Sequence, residues 1–257
     1  MKKFFKWTGI IVGILIIGSI IWGMIVHEPL PEGQNSPLAD GLARRVLEAI
    51  DQPAWDSTAV IAWNFGGRHD FVWDRARHLV EVSWNNKRVL LNPNEITGLA
   101  FVDGTPLHDE AAQKLIRTAW DHFNNDSFWL NAPAKVFDPG TERKIVIDPE
   151  TERTGLLVTY TSGGTTPGDS YLWWLDDSGL PNAWQMWVGM LPIGGIRASW
   201  DNWITLPSGA RISTEHQMGG LTLKISNIRS GRTLADVGAA MDLFAGMGIG
   251  PGGGPNF

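Results

Sequence analysis

From Thr58 to Gly67 the chain reads Thr-Ala-Val-Ile-Ala-Trp-Asn-Phe-Gly-Gly, and this segment is the clearest indicator of the fold class. Ile61, Trp63 and Phe65 recur at every second position, so an extended backbone places them on one face. The pair Gly66-Gly67 has the residue chemistry of a tight turn. The segment is therefore predicted to be a strand that leads into a hairpin.

The same period of two continues beyond this hairpin. It runs through three further segments, which contain Phe71 and Trp73, Val82 and Trp84, and Val89 and Leu91. These segments predict an antiparallel meander, to which Ile96 to Val102 adds a fifth strand. Similar segments follow between residues 144 and 228, separated by turns rich in Gly, Pro and Asp. The chain is therefore predicted to contain roughly eleven strands.

Two stretches have the period of a helix instead. Ser36 can cap a helix over residues 38–50, whose apolar stripe is predicted to be Leu38, Leu42, Val46, Ala49 and Ile50. A second helix is predicted from about 109 to 124, with Ala112, Leu115, Ile116, Ala119, Trp120 and Phe123 on one side. Both helices carry one apolar face, so both are expected to cover the sheet.

These elements predict a mainly β fold of the α+β class. We expect a curled antiparallel half-barrel domain over residues 36–232, with the two helices covering it and one transmembrane helix preceding it. Residues 28–35, which contain two prolines, are interpreted as a short extended linker. Residues 233–257 are expected to form a short helix, from about 234 to 244, and a disordered tail rich in Gly and Pro.

The N-terminus carries the signature of a membrane anchor. Residues 7–26 are uncharged and apolar, and as a helix they would span roughly 30 Å, the thickness of a bilayer core. The preceding lysines, Lys2, Lys3 and Lys6, predict a cytoplasmic N-terminus and an extracytoplasmic domain, either periplasmic or at the outer surface. Residues 1–27 are thus interpreted as an anchor or uncleaved signal. A cleaved signal is the alternative, but no pattern of small residues follows the apolar run.

Charge and composition narrow the functional classes. Of the 21 basic residues, three precede the anchor, which leaves 18 against all 27 acidic residues in the rest of the chain. This acidic excess argues against a nucleic-acid partner. The sequence has no Cys, so it has no disulfide framework, no thiolate chemistry and no lipid-carrying cysteine.

The polar residues do not form a pattern typical of an enzyme. His69 and Asp70 are neighbours in a predicted strand and would point to opposite faces, and Asp74 lies near the same hairpin. No serine sits in a nucleophile elbow, and the six His lack the spacing of metal ligands. We therefore expect no catalytic residue, no metal and no cofactor.

Aromatic residues supply the stronger functional signal, since 12 of the 14 Trp follow the anchor. The predicted concave face carries ten large apolar residues: Trp63, Phe65, Phe71, Trp73, Val82, Trp84, Tyr171, Trp173, Trp184 and Met186. Two short helices could not cover the whole of such a face, so an apolar groove for an acyl chain is expected. The alternative is an ordinary core packed against the helices.

Three local patterns in the second half of the chain resemble a known superfamily. They are Trp129-Leu130-Asn131-Ala132-Pro133-Ala134-Lys135-Val136 with Asp138-Pro139-Gly140, Thr166-Pro167-Gly168-Asp169-Ser170-Tyr171, and Trp174-Leu175-Asp176 followed by Gly179-Leu180-Pro181 and Trp184. With the order of elements from 36 to 228, they resemble the extracytoplasmic lipoprotein carriers of the Lol type, most closely uncharacterised bacterial members. The resemblance implies a half-barrel whose hydrophobic mouth is plugged by helices.

The expected function follows from the groove and the anchor together. We expect a membrane-tethered extracytoplasmic domain that binds a lipid, an acyl chain or another apolar ligand in the concave face of the half-barrel. Shuttling of lipoproteins between two membranes fits less well, because the chain carries a tether and lacks Cys. The alternative function is an envelope sensor or protein-interaction module that uses the same fold to bind a protein partner.

The anchor prediction can be tested on protein isolated from membranes. If residues 7–26 are retained, the N-terminal residue should be Met1 or Lys2, and the protein should resist carbonate extraction, because no cleavage pattern follows the apolar run. N-terminal sequencing and fractionation measure both. A mature N-terminus near His27 in a carbonate-extractable fraction would contradict the prediction.

Overall fold

The structure, a computed structural model, describes residues 27–247. The predicted anchor and residues 248–257 of the predicted tail lie outside the described residues. Within the described part there are fourteen strands and three α-helices, and every strand pairing is antiparallel. The prediction of a mainly β, curled antiparallel fold is confirmed. No α-helix between residues 27 and 247 has the length and apolar character needed to cross a bilayer.

The elements follow in chain order. The helices are α1 Pro37–Ala49, α2 Gln52–Ser57 and α3 Asp109–Asn131. The first six strands are β1 Val60–Phe65, β2 His69–Asp74, β3 Leu79–Trp84, β4 Lys87–Asn92, β5 Thr97–Val102 and β6 Thr105–Pro106. The remaining strands are β7 Thr141–Ile147, β8 Thr154–Tyr160, β9 Ser170–Leu175, β10 Pro181–Trp187, β11 Ile196–Ser199, β12 Asp201–Thr205, β13 Arg211–Met218 and β14 Leu221–Gly231.

The strands form two sheets that adjoin along one bent segment. The larger sheet has nine strands in the order β12-β13-β14-β1-β2-β3-β4-β5-β6, and the smaller has five in the order β11-β10-β9-β8-β7. Residues 196–205 connect the sheets, because β11 pairs with β10 whereas β12 pairs with β13. Trp200 lies at the bend between β11 and β12 and is only 1% exposed. The result is a curled surface that does not close.

Helix α3 is longer than predicted and lies across the concave face. It has 23 residues and continues to Asn131, whereas the sequence pattern predicted an end near 124. Of the polar residues that suggested this end, Asp126 is buried, whereas Asn124 is half-buried and Asn125 is exposed. Oδ2 of Asp126 lies 2.6 Å from Nδ1 of His69 in β2. This contact gives the buried carboxylate a partner. The helix therefore continues past Asp126 and carries Phe128, Trp129 and Leu130 over the sheet.

Helix α1 buries Ala39 and Ala43 in place of the predicted Leu38 and Leu42, so the first half of its buried stripe is shifted by one position. Its buried residues are Ala39, Ala43 and Val46, whereas Leu38 is 64% exposed. The small side chains of Ala39 and Ala43 allow the helix to approach the bulky Trp173 and Trp184 of the five-stranded sheet. The apolar bulk at this contact comes from the sheet, so the helix needs only alanines there.

The two terminal segments cover the convex faces of the sheets. The predicted linker 28–35 lies against the five-stranded sheet, where Gln34 forms a β-bridge with Ile145. Residues 232–247 lie against the nine-stranded sheet, where Val237 packs on Val60 and Phe244 packs on Leu79. In place of one helix over 234–244, this segment contains the short 3-10 turns Leu234–Val237 and Ala245–Met247.

A buried histidine lies where the two sheets meet. His216 of β13 is 0% exposed, and its Nδ1 lies 3.0 Å from the carbonyl oxygen of Ser199 in β11. The rings of Trp129 and Trp200 flank it at centroid distances of 5.1 and 4.6 Å. Burial lowers the pKa of His216 from 6.5 to about 4, so the side chain is neutral in the folded protein at neutral pH.

This pKa shift predicts a defined loss of stability in acid. The unfolded chain takes up the proton of His216 near pH 6.5 and the folded protein only near pH 4, so acidification through that window favours unfolding. The contribution should be about 3 kcal/mol at full extent. Denaturant unfolding between pH 7 and pH 4 should show a weaker pH dependence for His216→Phe than for the unchanged chain. The same replacement at the exposed His108 is the control, and equal slopes for all three proteins would contradict the prediction.

Candidate functional site

A cavity of about 580 Å³ lies between the C-terminal half of α3 and the concave side of the five-stranded sheet. Strands β8 to β10 form its floor, and α3 forms its roof. Its aromatic lining consists of Trp73, Trp120, Phe123, Phe128, Trp129, Tyr160, Tyr171 and Trp184. Cavities of roughly 300–1,000 Å³ with mainly apolar walls are typical binding sites for small ligands.

The register of three strands places the floor residues side by side. Met186 in β10 pairs with Tyr171 in β9, and Tyr171 pairs with Val158 in β8. Two residues along each strand, Trp184 pairs with Trp173 on the same face. A period of two along each strand and antiparallel pairing across them therefore make the apolar floor continuous.

Phe128 of α3 is the central contact between roof and floor. Its ring centroid lies 5.3 Å from that of Tyr160, 4.9 Å from that of Tyr171 and 5.8 Å from that of Trp184. Phe128 is half-buried although it is surrounded by aromatic rings, because part of its surface faces the cavity. Removal of this side chain would therefore enlarge a space that already exists.

The polar groups of the cavity wall are neutral. Burial raises the pKa of Tyr160 well above 10, with Asp138 adding to the shift, and burial with Asp169 raises that of Tyr171. Within residues 27–247, Tyr160 Oη, Trp184 Nε1 and Asn124 Nδ2 are buried without a hydrogen-bond partner. The cavity thus combines an apolar wall with neutral polar atoms and no buried charge at its floor.

One side of the rim is polar, and its charges are paired. Lys135 Nζ lies 2.6 Å from Asp138 Oδ2. Asp169 accepts hydrogen bonds from the Thr166 hydroxyl at 2.5 Å and from the Gly189 amide at 2.8 Å. The turn at Gly163-Gly164 has positive φ at both residues, which a glycine adopts without strain. The charged groups on the polar side of the cavity are therefore bonded to other residues of the rim.

The adjoining part of the rim is apolar and exposed. Val188, Met190 and Leu191, which follow β10, line the cavity together with Met218 at the end of β13. Met190 is 68% exposed and Leu191 is 40% exposed, so this rim faces outward. Methionine side chains adapt readily to irregular apolar surfaces. The rim is therefore the apolar mouth of the cavity.

The ten residues of the predicted groove are divided among the cavity and two sealed cores. Trp73, Tyr171, Trp184 and Met186 line the cavity. Trp63, Phe71, Val82 and Trp84 are buried beneath the N-terminal half of α3, where the ring of Phe71 stacks on Trp63 at 4.6 Å. Phe65 is half-buried and packs against that core, and Trp173 is 0% exposed in the second core. The cavity thus brings Trp73 together with three of the four predicted residues of the second half, Tyr171, Trp184 and Met186.

Sequence reasoning missed the helical half of the lining. Trp120 and Phe123 belong to the predicted apolar side of the second helix, but Phe128 and Trp129 lie beyond its predicted end near 124. Leu130 follows Phe123 by seven positions, which is about two helical turns, but Asn124-Asn125-Asp126 interrupts the apolar pattern between them. Only the buried contact of Asp126 with His69 shows why the helix continues.

In the polar cluster around His69, Asn125 lines the cavity, whereas His69, His122 and Asp126 do not. The ring of His69 stacks on His122 at 4.0 Å, and Asn125 donates a hydrogen bond to Asp126 Oδ1 at 2.8 Å. Burial, with His69 nearby, lowers the pKa of His122, and burial raises the pKa of Asp126. Asp70 accepts a hydrogen bond from Asn64, and Asp74 pairs with Arg77. These contacts join β2 to its neighbours and to α3.

A second recess, of about 650 Å³, lies on the convex side beneath the C-terminal segment. Arg77 crosses it and contacts Asp74 at 2.7 Å and Asp242 at 2.8 Å. The paired hydrogen bonds to Asp242 and to Asp74 hold the pKa of Arg77 above its usual value. The recess is open and its charges are used to hold the C-terminal segment, so the concave cavity is the better candidate site.

No family model matches this chain, and no curated protein matches it either. Two solved structures are similar in part. One is a DUF1329 family protein from Desulfovibrio piger that is 10% identical in sequence. The alignment covers 79% of this chain and 96% of the other, with a TM-score of 0.40. The other, described as an outer membrane lipoprotein-sorting protein domain, is from Vibrio parahaemolyticus, 10% identical, covering 76% and 97% with a TM-score of 0.31. Both scores are too low to carry an argument about this chain.

The division between core and cavity can be measured by truncation. Phe71→Ala removes a ring that is 1% exposed in a sealed core and should cost about 3–5 kcal/mol in the free energy of unfolding. Phe128→Ala should cost clearly less, because part of that ring already faces the cavity. Denaturant unfolding of the two variants measures both losses. Equal losses would mean that the space beside Phe128 is closed in solution.

Proposed function

We propose that this chain is a membrane-tethered extracytoplasmic protein that binds a lipid or acyl chain in the cavity beneath α3. The observation that carries the proposal is the cavity itself, about 580 Å³ with an aromatic wall and an exposed apolar mouth at Met190 and Leu191. The apolar run at residues 7–26 supports the tether, and the acidic domain argues against a nucleic-acid partner.

An apolar chain suits this cavity better than a charged ligand. The phenols of Tyr160 and Tyr171 stay protonated, and the charged groups of the rim, Lys135, Asp138 and Asp169, already have partners. Transfer of an acyl chain into such a space gains about 0.8 kcal/mol for each buried methylene group. The buried hydrogen-bonding atoms of the wall add a place for one or two neutral polar groups of the ligand.

Binding rather than catalysis is the proposed activity. Neither His69 nor Asp126 lines the cavity, and the carboxylate of Asp126 is engaged with His69 and Asn125. Retention of an apolar ligand needs no nucleophile or acid–base pair, since burial of apolar surface supplies the affinity. The proposal therefore assigns no catalytic residue.

The cavity can be blocked at Val188, which is half-buried at its mouth. Val188→Phe should weaken uptake of a fluorescent fatty acid by the full chain in detergent micelles, because the ring occupies cavity space. Val188→Glu should abolish uptake, since an unpaired carboxylate beside the ligand is strongly unfavourable. Titration of probe fluorescence measures both effects.

Val146 provides the matched control, because it is half-buried on the convex side of the same sheet. Val146→Phe and Val146→Glu should bind the fatty acid as the unchanged chain does. Equal effects at both positions would point to general destabilisation. No uptake by the unchanged chain would contradict the proposed function and favour the alternative in which the domain binds a protein partner.

A further inference from the structure

The start of the described chain is held against the loop that forms the cavity mouth. The amide of Glu28 donates to the Gly194 carbonyl at 3.1 Å, and the amide of Gly194 donates to Nδ1 of His27 at 3.0 Å. Trp187 Nε1 donates to the Glu28 carbonyl at 2.8 Å, and Gln185 Nε2 donates to Glu28 Oε2 at 2.9 Å. Residues 27 and 28 are therefore fixed in position on β10 and the loop after it.

Two glycines make this close approach possible. A Cβ atom at Gly194 would lie 2.2 Å from Cδ1 of Trp187, and one at Gly195 would lie 2.5 Å from Cβ of Glu28. Gly195 also has a positive φ of 80°. Larger residues at either position would push the N-terminal segment away from the loop. The contact is thus built into the local sequence.

The same loop is uncharged and apolar along its whole length. It reads Val-Gly-Met-Leu-Pro-Ile-Gly-Gly-Ile from Val188 to Ile196. Its exposed side chains Met190 and Leu191 line the cavity mouth with Met218. Across the hairpin turn from Met218 lies Leu221, which is 69% exposed. We call Val188–Ile196 and Met218–Leu221 together the mouth surface.

The mouth surface lies close to the point where the apolar N-terminal run meets the domain. Val26, the last residue of that run, directly precedes His27, which contacts Gly194. Leu191 is three residues from Gly194, at most about 11 Å along an extended chain. A free linker would let the domain turn in any direction, but this attachment leaves little freedom at residue 27. The mouth surface is therefore held near the surroundings in which residues 7–26 lie.

We propose that the mouth surface rests on the bilayer that holds residues 7–26, so that the cavity opens directly toward lipid. This inference rests on the proposed function, since it names the source of the ligand, namely the membrane itself. Exposed apolar side chains on an uncharged loop can bury roughly 5–10 Å into the boundary between headgroups and acyl chains. A lipid then enters past Met190 and Leu191 without crossing water. The experiment must distinguish this contact with the bilayer from binding of a protein partner to the same surface.

The absence of Cys allows the depth of single positions to be measured in the full chain. An environment-sensitive NBD dye is attached at Met190→Cys or Leu221→Cys, and the protein is reconstituted into vesicles of phosphatidylethanolamine and phosphatidylglycerol. Both dyes should be quenched several-fold more by acyl-brominated lipids than dyes at Ile147→Cys and Met241→Cys. Those controls are comparably exposed, at 51% and 75%, but lie outside the mouth surface. Equal quenching at all four positions, or none at Met190, would overturn the inference.

A transfer experiment separates this inference from the proposed function. Leu221 does not line the cavity, so Leu221→Glu should slow uptake of a fluorescent fatty acid from vesicles several-fold while its uptake from micelles is unchanged. Ile147→Glu should alter neither rate. Unchanged transfer from vesicles by Leu221→Glu would overturn the bilayer contact and leave cavity binding intact. If the unchanged chain takes up no fatty acid from vesicles or from micelles, the proposed function is contradicted. The dye-quenching measurement tests the bilayer contact independently of that result.

Discussion

The position of α3 on the curled sheet is the constraint on which the rest of the structure depends. Its 23 residues extend about 34 Å, enough to cross from the nine-stranded sheet to the five-stranded one. The N-terminal half packs onto Trp63, Phe71 and Val82 and seals the first core. The C-terminal half stands over β8 to β10 and leaves a cavity between its aromatic residues and theirs. One helix therefore serves as a plug in one half of the molecule and as a roof in the other.

Two polar contacts keep the helix in this position. Trp120 Nε1 donates a hydrogen bond to the carbonyl oxygen of Pro93 at 3.0 Å, which attaches the helix to the turn after β4. Asp126 contacts His69 of β2 at 2.6 Å from the opposite side. A buried carboxylate without a partner would be costly, so these residues must meet when the helix forms on the sheet. The cavity thus owes its shape to a helix that is held at both sides and cannot settle further.

The large share of Trp has different uses on the two faces. On the concave face, Trp173, Trp184 and Trp200 form one contiguous cluster with centroid distances of 4.9 to 5.2 Å, which fills the junction between the sheets. On the convex face, the indole of Trp187 donates to the Glu28 carbonyl of the N-terminal segment, and the indole of Trp174 donates to the side chain of Gln185. Alternation along β9 and β10 thus assigns neighbouring tryptophans to core packing and to attachment of the chain. This second use places residues 27 and 28 beside the loop of the cavity mouth.

The sequence by itself determined the class of fold and half of the candidate site. A period of two sets which side chains share a face, so Tyr171, Trp184 and Met186 could be grouped before their strands were seen to pair. Periodicity could not tell that Trp63 and Phe71 are sealed while Tyr171 borders open space, because both patterns look the same along a strand. That difference depends on how far α3 extends, and beyond Asn125 the helix is held to the sheet by the contact of Asp126 with His69, 57 positions earlier in the chain. The attachment of Glu28 to Gly194 is equally long-range. Local patterns specify faces, whereas contacts between distant residues decide what covers them.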